Sequence, residues 1–101
     1  MVEPIERAKA LACDARLAIL TWLRDPDRHF GNQDTGLPSE LGVCVTLIAE
    51  KLQMAQPTAS RHLEVLRRAG FVQSAKRGRW SFYSRNEPGI QAYREWVDEH
   101  L

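Results

Sequence analysis

The stretch VCVTLIAEKLQMAQPTASRHLEVLRRAG, residues 43–70, decides the fold. From about Val43 to Gln53, the residues Val45, Ile48, Ala49 and Leu52 recur at the i, i+3, i+4 and i+7 spacing of one helical face, which predicts a short amphipathic helix. Pro57 suits the first turn of a second helix, where its missing N–H would have no partner anyway. Ala59, Leu63 and Leu66 make that helix's apolar face, and Gly70 stands where a left-handed C-cap residue is wanted. Two short helices joined by about three residues are a helix-turn-helix arrangement. Ala55 is a defect in it, because alanine cannot cap the second helix as a serine would.

Beyond Gly70 the rhythm changes. Phe71 to Lys76 and Trp80 to Arg85 are rich in β-branched or aromatic residues, and Arg77-Gly78-Arg79 between them predicts a glycine-containing hairpin turn, a wing beside the helix pair. A last helix is expected from about Pro88 to Leu101, with Ile90, Tyr93, Val97 and Leu101 on one face. On the N-terminal side, Ala8, Leu11, Ala15, Ile19 and Trp22 predict one helix from about Ile5 to Arg24. Leu20 and Leu23 widen its apolar stripe beyond what a single neighbour requires, which points to a second subunit. Asp25-Pro26 ends this helix. Residues 25–42, with three of the six glycines and two prolines, predict a long and mostly mobile loop. The expected class is α+β, mostly α: helix, loop, helix, helix, β-hairpin, helix.

At 101 residues and 44% hydrophobic content, the chain can bury one core and lacks the length for a separate effector domain, so residues 1–101 are expected to form a single domain. No apolar run approaches the roughly 20 residues of a membrane span, and MVEPIERAK lacks the apolar stretch of a signal peptide, so a cytoplasmic location is expected. The net charge of +1 hides an asymmetry. Residues 56–85 hold seven bases and one acid, a net of +6, which leaves −5 for the rest. Concentrated positive charge suits a polyanionic partner. A winged helix used as a protein-interaction module, the alternative reading, would not need it. Neither paired carboxylates, nor a nucleophile–base set, nor a phosphate-binding glycine loop can be assembled from the three histidines and two cysteines at these spacings, so no enzymatic activity and no cofactor are expected.

Double-stranded DNA is the expected partner. Gln56 and Thr58 can read adenine or phosphate, and Ser60 and Arg61 can meet backbone or guanine from the start of the second helix. His62 either contacts phosphate or fills a half-buried niche with a backbone hydrogen bond, and Arg68 extends the exposed face. At the wing, Lys76, Arg77 and Arg79 can reach the DNA backbone or a narrow minor groove.

From Leu11 to Arg85 the chain resembles the ArsR/SmtB family of winged-helix repressors. Leu11-Ala12-Cys13-Asp14-Ala15-Arg16-Leu17-Ala18-Ile19-Leu20 is similar to the family's first-helix signature, residues 48–52 and 56–72 to its DNA-reading helix pair, and residues 76–83 to its wing. The resemblance implies a homodimer joined through the first and last helices, which occupies an operator and leaves it when an inducer arrives; the inducer is unknown. Leu20, Leu23, Ile90, Tyr93 and Val97 are the expected dimer residues. The familiar metal sites of the family are incomplete here. Where arsenic-type sensors have Cys-Val-Cys, this chain has Cys44-Val45-Thr46; of the zinc-type ligands, Glu87 and His100 fall at matching positions, but Gly89 replaces a histidine and the final acid is absent. No metal is therefore expected. Cys13 and Cys44 are either packed, inert thiols or, if the first helix lies beside the second, a thiol pair for a metalloid or for oxidation.

Overall fold

A computed structural model describes residues 3–31 and 42–101. The order is α1 (Pro4–Leu11), α2 (Asp14–Arg24), α3 (Pro26–Phe30), β1 (Val43–Cys44), α4 (Val45–Leu52), α5 (Gln56–Arg68), β2 (Val72–Arg77), β3 (Trp80–Arg85) and α6 (Glu87–His100). The three strands form an antiparallel sheet in the order β1-β3-β2. The mostly helical α+β winged helix-turn-helix expected from the sequence is the fold observed.

The helix pair follows the predicted periodicity. Ile48 and Ala49 of α4 and Ala59, Leu63 and Leu66 of α5 are all buried, so each helix turns its stripe to the same core. Gln53, Met54 and Ala55 make the connection, with Gln53 in the left-handed region at φ 57° and its N–H, like that of Met54, returned to the last turn of α4. Ala55 holds the N-cap position of α5 without a side-chain cap, as its chemistry requires. The hairpin closes more tightly than predicted. Arg77 pairs with Trp80, so only Gly78 and Arg79 turn, and the positive φ of 58° at Gly78 meets the demand for glycine at the head of a two-residue loop.

Three expectations are corrected. The single helix over residues 5–24 is two: Ala12 leaves helical geometry and Cys13 is extended, φ −161° and ψ 124°. The apolar period runs through the break because the side chains on either side face one core, so periodicity alone does not register it. Within the predicted loop, Pro26–Phe30 is helical, opened by Pro26 at its first position and held by the Phe30 ring set edge-on to Trp22, centroids 6.2 Å apart. The rest of that loop, residues 32–41, lies outside the described residues, and so does the expected mobility there. Finally, Val43 and Cys44 do not begin α4. They pair with Tyr83 and Phe82 as a third strand, and only from Val45 does the chain become helical.

Phe71, Phe82, Ile19, Ile48, Leu63, Leu66 and Val43 are the largest side chains wholly removed from water. Leu20, Leu23 and Ile90, expected at a subunit seam, lie in this same core. One protomer already uses them up: α2 packs on α5 and β3, and Leu20 and Leu23 fill that contact rather than spare surface.

Candidate nucleic-acid interface

With Ala59, Leu63 and Leu66 turned inward, α5 presents Arg61, Val65 and Arg68 to solvent, while Thr58, Ser60 and His62 flank that face half-buried. Gln56 is exposed at the helix start, and its Oε1 accepts the Thr46 hydroxyl at 3.4 Å, so the beginnings of α4 and α5 touch. The N-terminal half of α5 is thus bare, polar and rigidly backed.

The seven bases of residues 56–85 separate into two groups. Arg67 grips Glu64 with both Nε and Nη2, at 2.9 and 2.6 Å, and Arg68 Nε reaches the same carboxylate at 3.2 Å. The hydrogen bond from Arg67, before any other influence, holds the Glu64 carboxyl down to about 2, so the carboxylate stays charged through all ordinary acidities. Arg68 also borders a hollow of about 430 Å³ shared with Glu3, Glu6, Val65 and Ala69, and its side chain stays 77% exposed. Arg85 is drawn inside. Its Nη1 donates to the Leu20 carbonyl at 3.0 Å, and Nε and Nη2 donate to Glu87 at 2.8 and 3.2 Å. Arg61 on α5, and Lys76, Arg77 and Arg79 at the wing tip, are all exposed and form no salt bridge among the described residues. Arg77 leans on the Lys76 carbonyl at 2.9 Å, and Arg79 lies over the Trp80 ring at 5.2 Å, contacts that steer the guanidinium groups without neutralising them.

His62 takes a partner that the sequence does not announce. Its Nδ1 accepts Nη1 of Arg16, 3.1 Å away on α2. The same guanidinium donates Nε to the Ala10 carbonyl at 2.6 Å and Nη2 to the Lys9 carbonyl at 3.2 Å. Burial, then the charges of Arg16 and Arg61, lower the His62 pKa below its ordinary 6.5, so the ring is neutral at pH 7 with its proton on Nε2.

This helix pair coincides with the part of the chain that known proteins share. Residues 42–74 match the family of bacterial regulatory proteins described as arsR. Over 100 residues the chain is 45% identical to YbzH of Bacillus subtilis (strain 168), an uncharacterised HTH-type transcriptional regulator, with 99% of this chain and 100% of the relative covered. The chain belongs to the ArsR family. It is also 36% identical over 91 residues to the arsenical resistance operon repressor of Escherichia coli (strain K12), covering 89% of this chain and 64% of that protein. Among solved structures it resembles the homodimeric winged helix-turn-helix DNA-binding domain of Mb0332 from Mycobacterium bovis, a possible ArsR-family regulator, with a TM-score of 0.63 and 27% identity over 96% of this chain and 80% of that one. As an ArsR-family protein it is a transcriptional regulator, and its relatives of that description are not enzymes.

In this ArsR-family chain the terminal helices keep apolar surface that the protomer does not cover. Tyr93 meets Phe71 edge-on at 5.5 Å and stacks on Trp96 at 6.2 Å, and Trp96 stacks on His100 at 4.5 Å, an aromatic ladder along α6 that leaves Tyr93, Trp96 and Val97 half-buried. On α1, which packs against α6, Ile5 is 60% exposed and Ala8, three residues on, is exposed too. Trp96 and Ile5 were missed because each falls one position off the stripe used to trace its helix. Cys44 is buried in β1 and Cys13 half-buried at the α1–α2 break. Among the described residues, no helix is long and apolar enough to cross a membrane.

Proposed function

We propose that this ArsR-family regulator is a sequence-specific DNA-binding repressor that acts as a homodimer, occupying an operator so that a promoter is blocked until an inducer releases it. The observation that carries the reading is the sorting of charge. Arg67 is held by Glu64 and Arg85 by Glu87 and the Leu20 carbonyl, whereas Arg61 on the reading helix and Lys76, Arg77 and Arg79 on the wing are left for an outside anion, and Arg68, which shares Glu64 with Arg67, leaves one further positive charge at the end of α5. The E. coli relative is a repressor, and the M. bovis domain is a homodimer. In such a dimer, two copies of α5 lie about 34 Å apart, one turn of DNA. Gln56, Thr58, Ser60 and Arg61 then face base edges and phosphates, and Lys76, Arg77 and Arg79 track the backbone or the minor groove.

The reading is tested by selecting bound duplexes from fragments of the source genome and measuring affinity against salt. Arg61→Ala is expected to lose about 1–3 kcal/mol of discrimination between the selected duplex and a scrambled one. Equal loss on both duplexes would make Arg61 a phosphate contact instead. The double variant Arg77→Ala, Arg79→Ala is expected to weaken binding on every sequence and to reduce the salt slope by about one for each phosphate that the wing no longer meets. An unchanged slope would remove the wing from the interface. Binding with neither sequence preference nor salt dependence would return the fold to a protein-interaction role.

A further inference from the structure

The structure assigns to Arg16 the role of a positioning residue: by gripping the end of α1 and His62 of α5 together, it sets where the DNA-reading helix stands relative to the helix expected at the subunit seam. This inference rests on the proposed DNA-reading role of α5 and adds how that helix is aimed.

Three hydrogen bonds leave one guanidinium in three directions. Nε and Nη2 hold the Ala10 and Lys9 carbonyls, and Nη1 holds the Nδ1 lone pair of His62. The two carbonyls belong to the last turn of α1; the Lys9 carbonyl also accepts the Ala12 N–H at 3.1 Å, and Arg16 adds a second donor there. The break at Ala12 and Cys13 cuts α1 from α2, so α1 is tied to the rest of the protomer by side-chain contacts rather than by a continuous helix. Arg16 stands in the first turn of α2, facing back across that break, and His62 sits in α5 next to the exposed Arg61. A displacement of α1 therefore reaches α5 through this rigid, planar group as well as through the direct packing of α1 on α5. A guanidinium spreads its donors over a rigid plane; an ammonium also has three donors, but as a compact group on a flexible stem it does not hold three acceptors in a fixed fork. The acceptor on the other side is preserved because burial and the flanking Arg16 and Arg61 keep His62 neutral.

The consequence is specific to two-site recognition. A dimer reads two half-sites at a spacing set by the distance between its reading helices. If Arg16 sets the angle of α5 against α1, its removal loosens that spacing and leaves the charge on the reading helix and wing, hence non-specific affinity, nearly intact.

The experiment uses the full chain with a duplex that the parent selects from genomic fragments, the same duplex with its half-sites moved apart by one and by two base pairs, and a scrambled duplex of equal length. Arg16→Ala and Arg16→Lys are expected to lose roughly tenfold on the selected duplex, to flatten the penalty for altered spacing, and to keep the parent's affinity and salt slope on scrambled DNA. His62→Ala, which leaves Arg16 bonded to the α1 carbonyls, is expected to flatten the spacing penalty in the same way. His62→Asn, whose side-chain oxygen falls near the place of Nδ1, is expected to restore most of the spacing penalty. Thermal unfolding identifies any variant that does not fold; the two His62 variants address the same contact from the half-exposed side. Parent-like spacing discrimination in folded Arg16→Lys and His62→Ala overturns the proposal, as does an equal loss on selected and scrambled DNA. A parent that prefers no duplex at all overturns the DNA-reading assignment itself, an outcome visible before any variant is made.

Discussion

Gly89→Ala is expected to destabilise the protein by about 3 kcal/mol, at or above the upper end of ordinary overpacking costs. For a chain of this size such a loss lowers Tm by roughly 12–24 °C. A Cβ at position 89 would overlap the Gly70 carbonyl oxygen and stand 2.7 Å from Asn86 Nδ2. Neither neighbour is free to retreat. Gly70 occupies the left-handed region at φ 86° between α5 and β2, and its carbonyl accepts Asn86 Nδ2 at 2.9 Å while the Asn86 N–H donates to the Phe71 carbonyl, also at 2.9 Å. The first turn of α6 is laid directly on the backbone that follows the reading helix. An open helical site would give the opposite sign, because alanine favours a helix over glycine by about 1 kcal/mol. Thermal or denaturant unfolding of the variant decides between the two, and a rise in stability would refute the close approach. The same geometry explains the departure from the zinc-type pattern at this position: Gly89→His should fare worse than alanine, with no recovery on adding zinc.

Val97→Glu should turn the dimer into a monomer and lower operator affinity about 100-fold or more, since two half-sites joined in one particle bind far more tightly than each alone. Val97 lies half-buried beside Trp96 on the face of α6 that the aromatic ladder extends, and a carboxylate there would be stripped of water without a partner. Ile5→Glu on α1 should act in the same direction if both terminal helices share the seam. Leu23→Ala, by contrast, is expected to cost about 2–5 kcal/mol of folding stability, because Leu23 belongs to the protomer's own core. Sedimentation of the three variants separates the two classes. A parent that is monomeric at micromolar concentration and still binds its operator tightly would overturn the dimer.

The helix pair and the hairpin were legible in the sequence because both depend on short-range chemistry. Apolar residues at helical spacing, proline where a helix starts, glycine at a left-handed C-cap and at a tight hairpin are requirements that neighbours along the chain impose on one another. The excess of bases between residues 56 and 85 was equally plain, but which of them stay available was not. The pairing of Glu64 with Arg67 and Arg68 obeys helical i+3 and i+4 spacing and could have been read. The capture of Arg85 could not, since its acceptor, the Leu20 carbonyl, is 65 residues away in the chain. For the same reason β1 was taken for the start of a helix: two residues make a strand only because β3 supplies Tyr83 and Phe82 as partners. Leu20, Leu23 and Ile90 were assigned to a seam because a pattern states that a face is apolar and not what covers it. The break between α1 and α2 carries no glycine or proline to announce it, and the Ala10 carbonyl before it is met by Arg16, a side chain that also reaches His62 of α5, 46 residues further along the chain. Local spacing determined the elements of this protein; which charges are free, which leucines are core and what aims the reading helix were decided by contacts between residues far apart in the chain, which exist only once it has folded.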